Sequence, residues 1–125
     1  MMEIIFYSND SQLEPQDIKV SKEFLQWLAD SKFMAVGTDL PTKINIQGEE
    51  AELPLMHLEE GNNSNRQLLT DFLRDAIILE SEKIIENLGE APSKEDYQKL
   101  TYPLKKLHEL RRCVENETYQ YLQRA

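Results

Sequence analysis

The first half of the chain alternates apolar and polar positions, which is the period of a β-strand. In residues 2–7 (MEIIFY), Met2, Ile4 and Phe6 alternate with Glu3, Ile5 and Tyr7, and these residue types favour strands, so we predict a strand there. Residues 43–47 (KINIQ) and 51–58 (AELPLMHL) flank Gly48, and together they predict a β-hairpin. Pro54 has no N–H to donate to a neighbouring strand. We therefore expect the second hairpin strand to lie at a sheet edge or to be interrupted at Pro54.

The residues between these strands predict a short helix and one more strand. Residues 8–19 are polar and predict a loop, and Ser21 is a suitable cap for a helix that ends near Asp30. Residues 32–37 (KFMAVG) have the size and composition of a buried strand. Residues 38–41 (TDLP) are typical of a turn.

After residue 64 the pattern changes to a helical period. Ser64 and Gln67 have the spacing of a capping box, in which each side chain bonds a free backbone N–H of the first turn. A helix over about 65–88 follows, and Gly89 is well placed to end it. Ser93 is a suitable cap for a second long helix. Pro103 is expected to kink or restart that helix, because it lacks the N–H of a helix interior.

This order of elements predicts an α+β fold. We expect a small antiparallel sheet of three to four strands, with a short N-terminal helix, packed against a C-terminal antiparallel pair of long helices. The whole chain, 1–125, is expected to form one domain, with a strand-rich part at 1–60 and a helical hairpin at 64–123.

The first long helix has more apolar surface than one packing partner can cover. Projected at about 100° per residue, more than half of its circumference is apolar, through Leu68, Leu69, Phe72, Leu73, Ala76, Ile77, Leu79, Ile84 and Leu88. The last helix has a narrower stripe, formed by Tyr97, Leu100, Leu104, Leu107, Leu110, Val114 and Tyr121.

Two interpretations of the surplus stay open. In the first, the helix packs on the last helix and on an inner sheet face formed by Ile44, Ile46, Leu53 and Leu55. In the second, Ile78 and Ile85, which are one heptad apart outside the main apolar arc, form a seam for another protein or for a second copy of the chain.

Composition narrows the possible partners. The chain has a net charge of −9, which argues against sequence-independent binding to nucleic acid and to anionic membranes. The first apolar run is too short for a membrane span or a signal peptide, and the chain has a single cysteine, Cys113. We therefore expect a cytoplasmic protein in a reducing compartment.

Few residues have the spacing of catalytic or metal sites. His57 with Glu59 or Glu60 is the best candidate for a metal, although a histidine at a strand end followed by solvated acids explains them more simply. His108 and Cys113 point about 140° apart on one helix, so a Cys–His pair would need His57 instead. We expect neither a cofactor nor a metal.

Charged residues also form several clusters. Glu49, Glu50 and Glu52 surround the hairpin turn, while Glu59 and Glu60 follow its second strand, so the hairpin should have two separate acidic patches. Each patch could steer a basic partner, or simply confer solubility. An acidic stripe on the first long helix (Asp71, Asp75, Glu82, Glu86) and a basic group on the last (Lys105, Lys106, Arg111, Arg112) are typical of solvated helix faces.

These observations favour a non-enzymatic protein-binding or regulatory function, of the acidic inhibitor, immunity or adaptor type. The expected binding residues are Ile78 and Ile85 together with the glutamates of the two hairpin patches, and the partner is another protein or a second copy of the chain. Two alternatives stay open. One is a small metal-dependent hydrolase that uses His57, Glu59 and Glu60, and the other is a structural subunit of a larger assembly.

Overall fold

The computed structural model describes residues 4–61, 64–88 and 93–124. The predicted start of the first strand and Gly89 lie outside these ranges. Over the described residues the sheet has five strands, where the sequence predicted three to four: β1 (Ile5–Tyr7), β2 (Gln16–Asp17), β3 (Asp39–Ile46), β4 (Glu49–His57) and β5 (Tyr121–Gln123). The strand order is β2-β1-β5-β4-β3 and the pairings are antiparallel. The predicted α+β class is thus confirmed.

Three α-helices accompany the sheet: α1 (Lys22–Ala29), α2 (Asn65–Leu88) and α3 (Lys94–Glu115). Ser21 and Ser93 cap α1 and α3 as expected, each accepting a hydrogen bond from a backbone N–H of the first turn. Ser64 does the same for α2, with Gln67 N–H as donor. The predicted capping box is only half formed, because the Gln67 side chain donates to Asp71 Oδ1 instead. Pro103 lies inside α3, which continues past it.

The prediction of a buried strand at residues 32–37 is wrong. Lys32–Met34 form a short 3-10 helix with Ser31 as its cap, and Phe33 is buried. The guanidinium of Arg124 donates to the carbonyls of Phe33 and Val36 at 2.8 and 2.6 Å. Because a side chain from the far end of the chain bonds these carbonyls, they need no strand partner. The predicted turn at 38–41 is also wrong, since β3 begins at Asp39.

The last helix ends earlier than predicted, at Glu115, and Tyr121 lies in β5. The guanidinium of Arg66 explains where the chain leaves the helix. It donates to the carbonyls of Val114, Asn116 and Tyr119, at 2.5, 3.0 and 2.6 Å. These bonds replace helical ones at the C-terminus of α3. The chain then enters the sheet between β1 and β4.

The sheet buries both of its faces, and the helices cover the one that the sequence did not indicate. Phe6, Met56, Leu58 and Leu122 face the helices and share the main core with Leu69, Leu73, Leu107 and Leu110. The predicted inner face of Ile44, Ile46, Leu53 and Leu55 lies on the other side, in a smaller cluster with Tyr7 and Tyr121. Alternation places these two sets on opposite faces, but it does not say which face the helices cover.

The sheet curls around the smaller cluster. The side chain of Gln47, in the turn between β3 and β4, donates to Glu14 in the loop between β1 and β2, at 3.1 Å. This contact joins segments that belong to opposite edges of the sheet. The hairpin of β3 and β4 therefore folds over the face away from the helices, and Leu55 is fully buried there.

Candidate functional site

The pair α2–α3 divides into a covered root and an uncovered tip. We define the root as residues 65–76 and 104–115, and the tip as residues 77–88 and 94–103. In the root, the leucines Leu69, Leu73, Leu107 and Leu110 are fully buried in the main core. Every apolar side chain that the structure describes in the tip is exposed or only half-buried. The apolar surplus of α2 is therefore left open mainly at the tip.

The exposed side chains include both residues of the predicted seam. Ile78 and Ile85 are 57% and 79% exposed, and their neighbour Leu79 is 58% exposed. The prediction that Ile44, Ile46, Leu53 and Leu55 cover a second side of α2 is wrong, because these residues form the smaller cluster on the other face of the sheet. Leu73 of the root is part of the main core, together with residues of the opposite sheet face, whereas the exposed residues of the tip are not. The surface that the seam requires is thus present in the isolated chain.

An acidic stripe runs along α2 beside the seam. Asp71, Asp75, Glu82 and Glu86 are all exposed. At about 100° per residue, the stripe lies between the direction of Ile78 and Ile85 on one side and that of Leu79 on the other. Arg74 does not neutralise it, because its guanidinium pairs with Glu115 of α3 at 2.5 Å. The exposed apolar side chains of α2 are therefore bordered by negative charge.

A groove of about 730 Å³ lies between α1 and the two long helices, near the boundary of root and tip. Its lining is mainly apolar, through Phe24 and Trp27 of α1 and Tyr102, Pro103 and Leu107 of α3. Its polar lining consists of Ser21, Glu23, Glu80, Glu95, Gln98 and Lys99. This volume is within the range of ligand pockets, which is about 300–1,000 Å³.

The aromatic side chains of the groove are held by contacts with one another and with the backbone. Phe24 meets Tyr102 edge-on at 6.3 Å between ring centroids, and Trp27 stacks on Phe72 of α2 at 6.2 Å. The Tyr102 hydroxyl accepts a hydrogen bond from the Ser21 N–H at 2.7 Å. These contacts join α1 to both long helices, so that the groove walls are positioned before any ligand arrives.

Sequence reasoning did not find this groove. The pattern predicted a helix that includes Phe24 and Trp27, but an amphipathic helix of this length is more often simply packed on a core. Trp27 keeps 39% of its surface exposed, and only the position of α1 against α2 and α3 shows this. The one hint in the sequence is a large aromatic residue beside acidic ones, which is a weak signal alone.

The hairpin glutamates form two patches, as expected. Glu49, Glu50 and Glu52 are exposed at one end of the hairpin. Glu59 and Glu60 are exposed just beyond its other end, after His57. Glu59 is already engaged, because it accepts from Arg66 Nε at 2.5 Å. The patches belong to the hairpin and to the loop after it, whereas Ile78 and Ile85 lie on α2.

The proposed hydrolase residues make ordinary structural contacts. The Thr42 hydroxyl lies 2.8 Å from the Leu40 carbonyl and 2.8 Å from Nε2 of His57, so this ring nitrogen is within hydrogen-bond distance of a side chain of the chain itself. Within the described part of the chain, no three histidine, cysteine or acidic side chains are grouped so that they could hold a metal ion. The hydrolase alternative gains no support from this geometry.

Cys113 and His57 lie on opposite sides of the sheet, since Cys113 is part of the main core and His57 shares a face with Leu55. Burial, and secondly the charge of Glu109, raise the pKa of the Cys113 thiol to about 11. At neutral pH the thiol is protonated and a poor nucleophile. Burial and the charges of Arg111 and Arg112 lower the pKa of His108, which favours its neutral form.

The basic group on α3 is partly neutralised within the chain. Lys106 pairs with Glu109 at 3.1 Å, and Arg111 pairs with Glu115 at 2.9 Å. Lys105 and Arg112 are exposed. With these pairs formed, the group lacks the concentrated positive charge that nucleic-acid binding requires.

No protein-family model, curated protein or solved structure matches this chain. Each helix over residues 4–61, 64–88 and 93–124 is too short or too polar to cross a bilayer. The two features that a function can be inferred from are therefore the uncovered apolar surface of α2 and the groove beside α1.

Proposed function

We propose that this chain is a non-enzymatic binding protein that recognises a basic partner protein through the tip of α2. The observation that carries the proposal is the exposure of Ile78 and Ile85 on the same side of α2. Large apolar side chains grouped on a surface are typical of protein interaction sites. The acidic stripe beside them indicates the charge of the partner.

Charge favours a different protein over a second copy of the chain. If two copies of α2 paired antiparallel through Ile78 and Ile85, the acidic stripe of one copy would face that of the other. Like charges placed opposite each other destabilise such a pairing. A partner with lysine or arginine around an apolar centre would meet the same surface favourably. Charge would also speed its association, and salt would slow it.

The hairpin patches support the same class of function. Glu49, Glu50 and Glu52 are exposed in addition to the acids of α2. They extend the negative potential of the surface and can steer a basic protein without touching it. We assign them to steering, and we assign Ile78 and Ile85 to the contact itself.

The test is recovery of a defined complex by native mass spectrometry, using the tagged full chain and extracts of the cell that makes it. We expect a partner with a basic surface, whose purified form binds the chain more weakly as salt rises. Ile78→Asp with Ile85→Asp should abolish that binding and leave a cooperative melt intact.

Leu13→Asp is the matched control, because Leu13 is also exposed but lies in the loop between β1 and β2. It should bind the partner as the unmodified chain does. Binding that is unchanged in the Ile78 and Ile85 variant would remove α2 from the interface. A stable homodimer held by these residues would contradict the assignment of a basic partner.

A further inference from the structure

The groove beside α1 has a chemistry that the seam on α2 does not share. Its wall is aromatic, with Phe24, Trp27 and Tyr102, and carboxylates of Glu23, Glu80 and Glu95 also line it. Glu80 is bridged to Lys83 at 3.2 Å, and Lys99 contributes one positive charge to the lining. Glu23 and Glu95 have no cation bridging them in the described part of the chain. The groove therefore combines an apolar wall with a net negative charge.

A ligand that complements this groove needs an apolar body and a positive charge. Apolar atoms gain by leaving water against Leu107 and the aromatic rings. An ammonium or guanidinium is attracted both by carboxylates and by the faces of aromatic rings. Lys106 already shows this on Tyr102, since its Nζ lies 5.8 Å from the ring centroid. An anionic ligand would find only Lys99 as a counter-charge, against the carboxylates of Glu23 and Glu95, and a purely polar ligand would gain nothing from the apolar wall.

The surroundings of the groove favour a polypeptide over a small molecule. Trp27 is 39% exposed and stacks on Phe72 of α2. Leu79, which is seven residues further along the same side of α2, is 58% exposed. Apolar surface therefore continues beyond the groove, where a chain can cover it and a ligand confined to about 730 Å³ cannot. Tryptophan and tyrosine are also the residues most enriched at the energetic centres of protein interfaces.

We infer that the groove binds a basic amphipathic segment of the partner protein. An apolar or aromatic side chain of the segment lies against Phe24, Trp27 and Tyr102, and its lysine or arginine residues meet Glu23 and Glu95. This inference rests on the proposed function, and it adds a second contact site together with the chemistry of the element that occupies it.

Trp27 is the only tryptophan of the chain, so its fluorescence reports on the groove alone. The probe is a synthetic helical peptide of leucine and lysine, titrated into the full-length protein, with a leucine and glutamate peptide of the same length as its counterpart. We expect a saturable shift of the Trp27 emission with the lysine peptide, weaker binding at higher salt, and no shift with the glutamate peptide.

Variants in which glutamine replaces glutamate show where the lysine peptide binds. Glu23→Gln with Glu95→Gln should weaken the lysine peptide about tenfold, which corresponds to about 1.4 kcal/mol. Glu14→Gln with Glu117→Gln removes the same charge from exposed positions outside the groove and should leave the affinity within about twofold. Equal weakening in both pairs would mean that only net charge matters, and it would overturn the assignment, as would a lack of any shift.

Two further measurements complete the test. If benzyltrimethylammonium shifts the Trp27 emission at micromolar concentration while the lysine peptide does not, the groove is a small-molecule site and the inference is wrong. The Glu23 and Glu95 variant should also weaken the complex with the partner. If the complex forms normally without these carboxylates, the groove inference fails while the proposed function stands. Loss of the complex only in the Ile78 and Ile85 variant has the same meaning.

Discussion

The root and the tip of the helical hairpin contain similar apolar residues, but among those that the structure describes, the fully buried ones lie in the root and the most exposed ones in the tip. Leu73 in the root has no exposed surface, whereas Ile85, three turns further along the same helix, is 79% exposed. The sheet and α1 cover the root, and neither extends over the seam of the tip. Apolar content along a helix therefore does not indicate burial unless another element reaches that part of the helix.

The largest expected effect comes from truncating the root. Leu73→Ala should lower the free energy of unfolding by about 3 to 4 kcal/mol, because it removes a fully buried side chain and leaves a cavity. Ile85→Ala is the matched change in the tip and should alter the free energy of unfolding by less than about 0.5 kcal/mol. Urea unfolding of both variants measures the difference. Similar losses would mean that the tip is covered in the isolated protein.

The next effect concerns the polar contacts that end the root. Arg66→Ala should destabilise the protein by about 2 to 3 kcal/mol, because three carbonyls in the last turn of α3 and in the segment after it lose their donor. Arg74→Ala is the control, since Arg74 is 59% exposed and makes one surface ion pair, expected to contribute less than about 1 kcal/mol. Thermal melts compare the two. A result in which Arg74 matters as much as Arg66 would contradict this account of the helix end.

The root should also be sensitive to alkaline pH through Cys113. The native state keeps the thiol protonated up to a pKa of about 11, while an exposed thiol ionises near 9.0. A raised pKa means that stability is fully present below pH 9.0 and is lost as the pH rises through 11, by about 3 kcal/mol in all.

Urea unfolding at a series of pH values tests this effect. The Cys113→Ala variant should lose less stability over the same interval. Burial also raises the pKa of Tyr119, so part of the alkaline loss will persist in the variant. An identical pH dependence in both proteins would show that Cys113 is not the titrating group.

The smallest expected effect compares the two helix caps. Ser64 starts the root and Ser93 starts the tip, and each accepts from a backbone N–H, at 3.2 and 3.1 Å. Ser64→Ala should lower the global stability by about 1 kcal/mol. Ser93→Ala should instead fray the first turn of α3 locally, because little tertiary contact depends on that turn.

Hydrogen exchange distinguishes a local from a global effect. In Ser93→Ala the amides of Asp96 and Tyr97 should exchange several-fold faster, while the amides of buried root residues keep their protection. If protection falls across the whole chain, the tip and the root unfold as one unit. The two parts then differ in exposure but not in local stability.

Local sequence signals predicted the elements that depend on nearby residues. The caps Ser21, Ser64 and Ser93 each bond within their own helix, so their spacing alone identifies three helix starts. The hairpin of β3 and β4 forms around the turn at Gly48 and needs no distant partner to set its register. The apolar surplus of α2 could also be predicted from the sequence, because the helical period and the residue types are enough to find it.

Distant contacts decided the elements that were predicted wrongly. Tyr121 continues an apolar stripe of helical period, yet it forms a strand, since β1 and β4 offer it hydrogen-bond partners on both sides. Residues 32–34 form a 3-10 helix, and the carbonyl of Phe33 accepts from Arg124. The partners of Tyr121 and of Phe33 are far away in sequence, so they leave no periodic pattern around these two residues.

The residue pattern alone was thus enough to predict the class of the fold, the starts of its helices, its acidic charge and the excess apolar surface on α2. Contacts between distant segments set which face of the sheet the helices cover, which part of α2 stays open, and the groove that α1 forms with α2 and α3. The difference comes from the range of the interactions. Periodicity and capping act over a few residues, whereas burial depends on which elements the whole chain brings together.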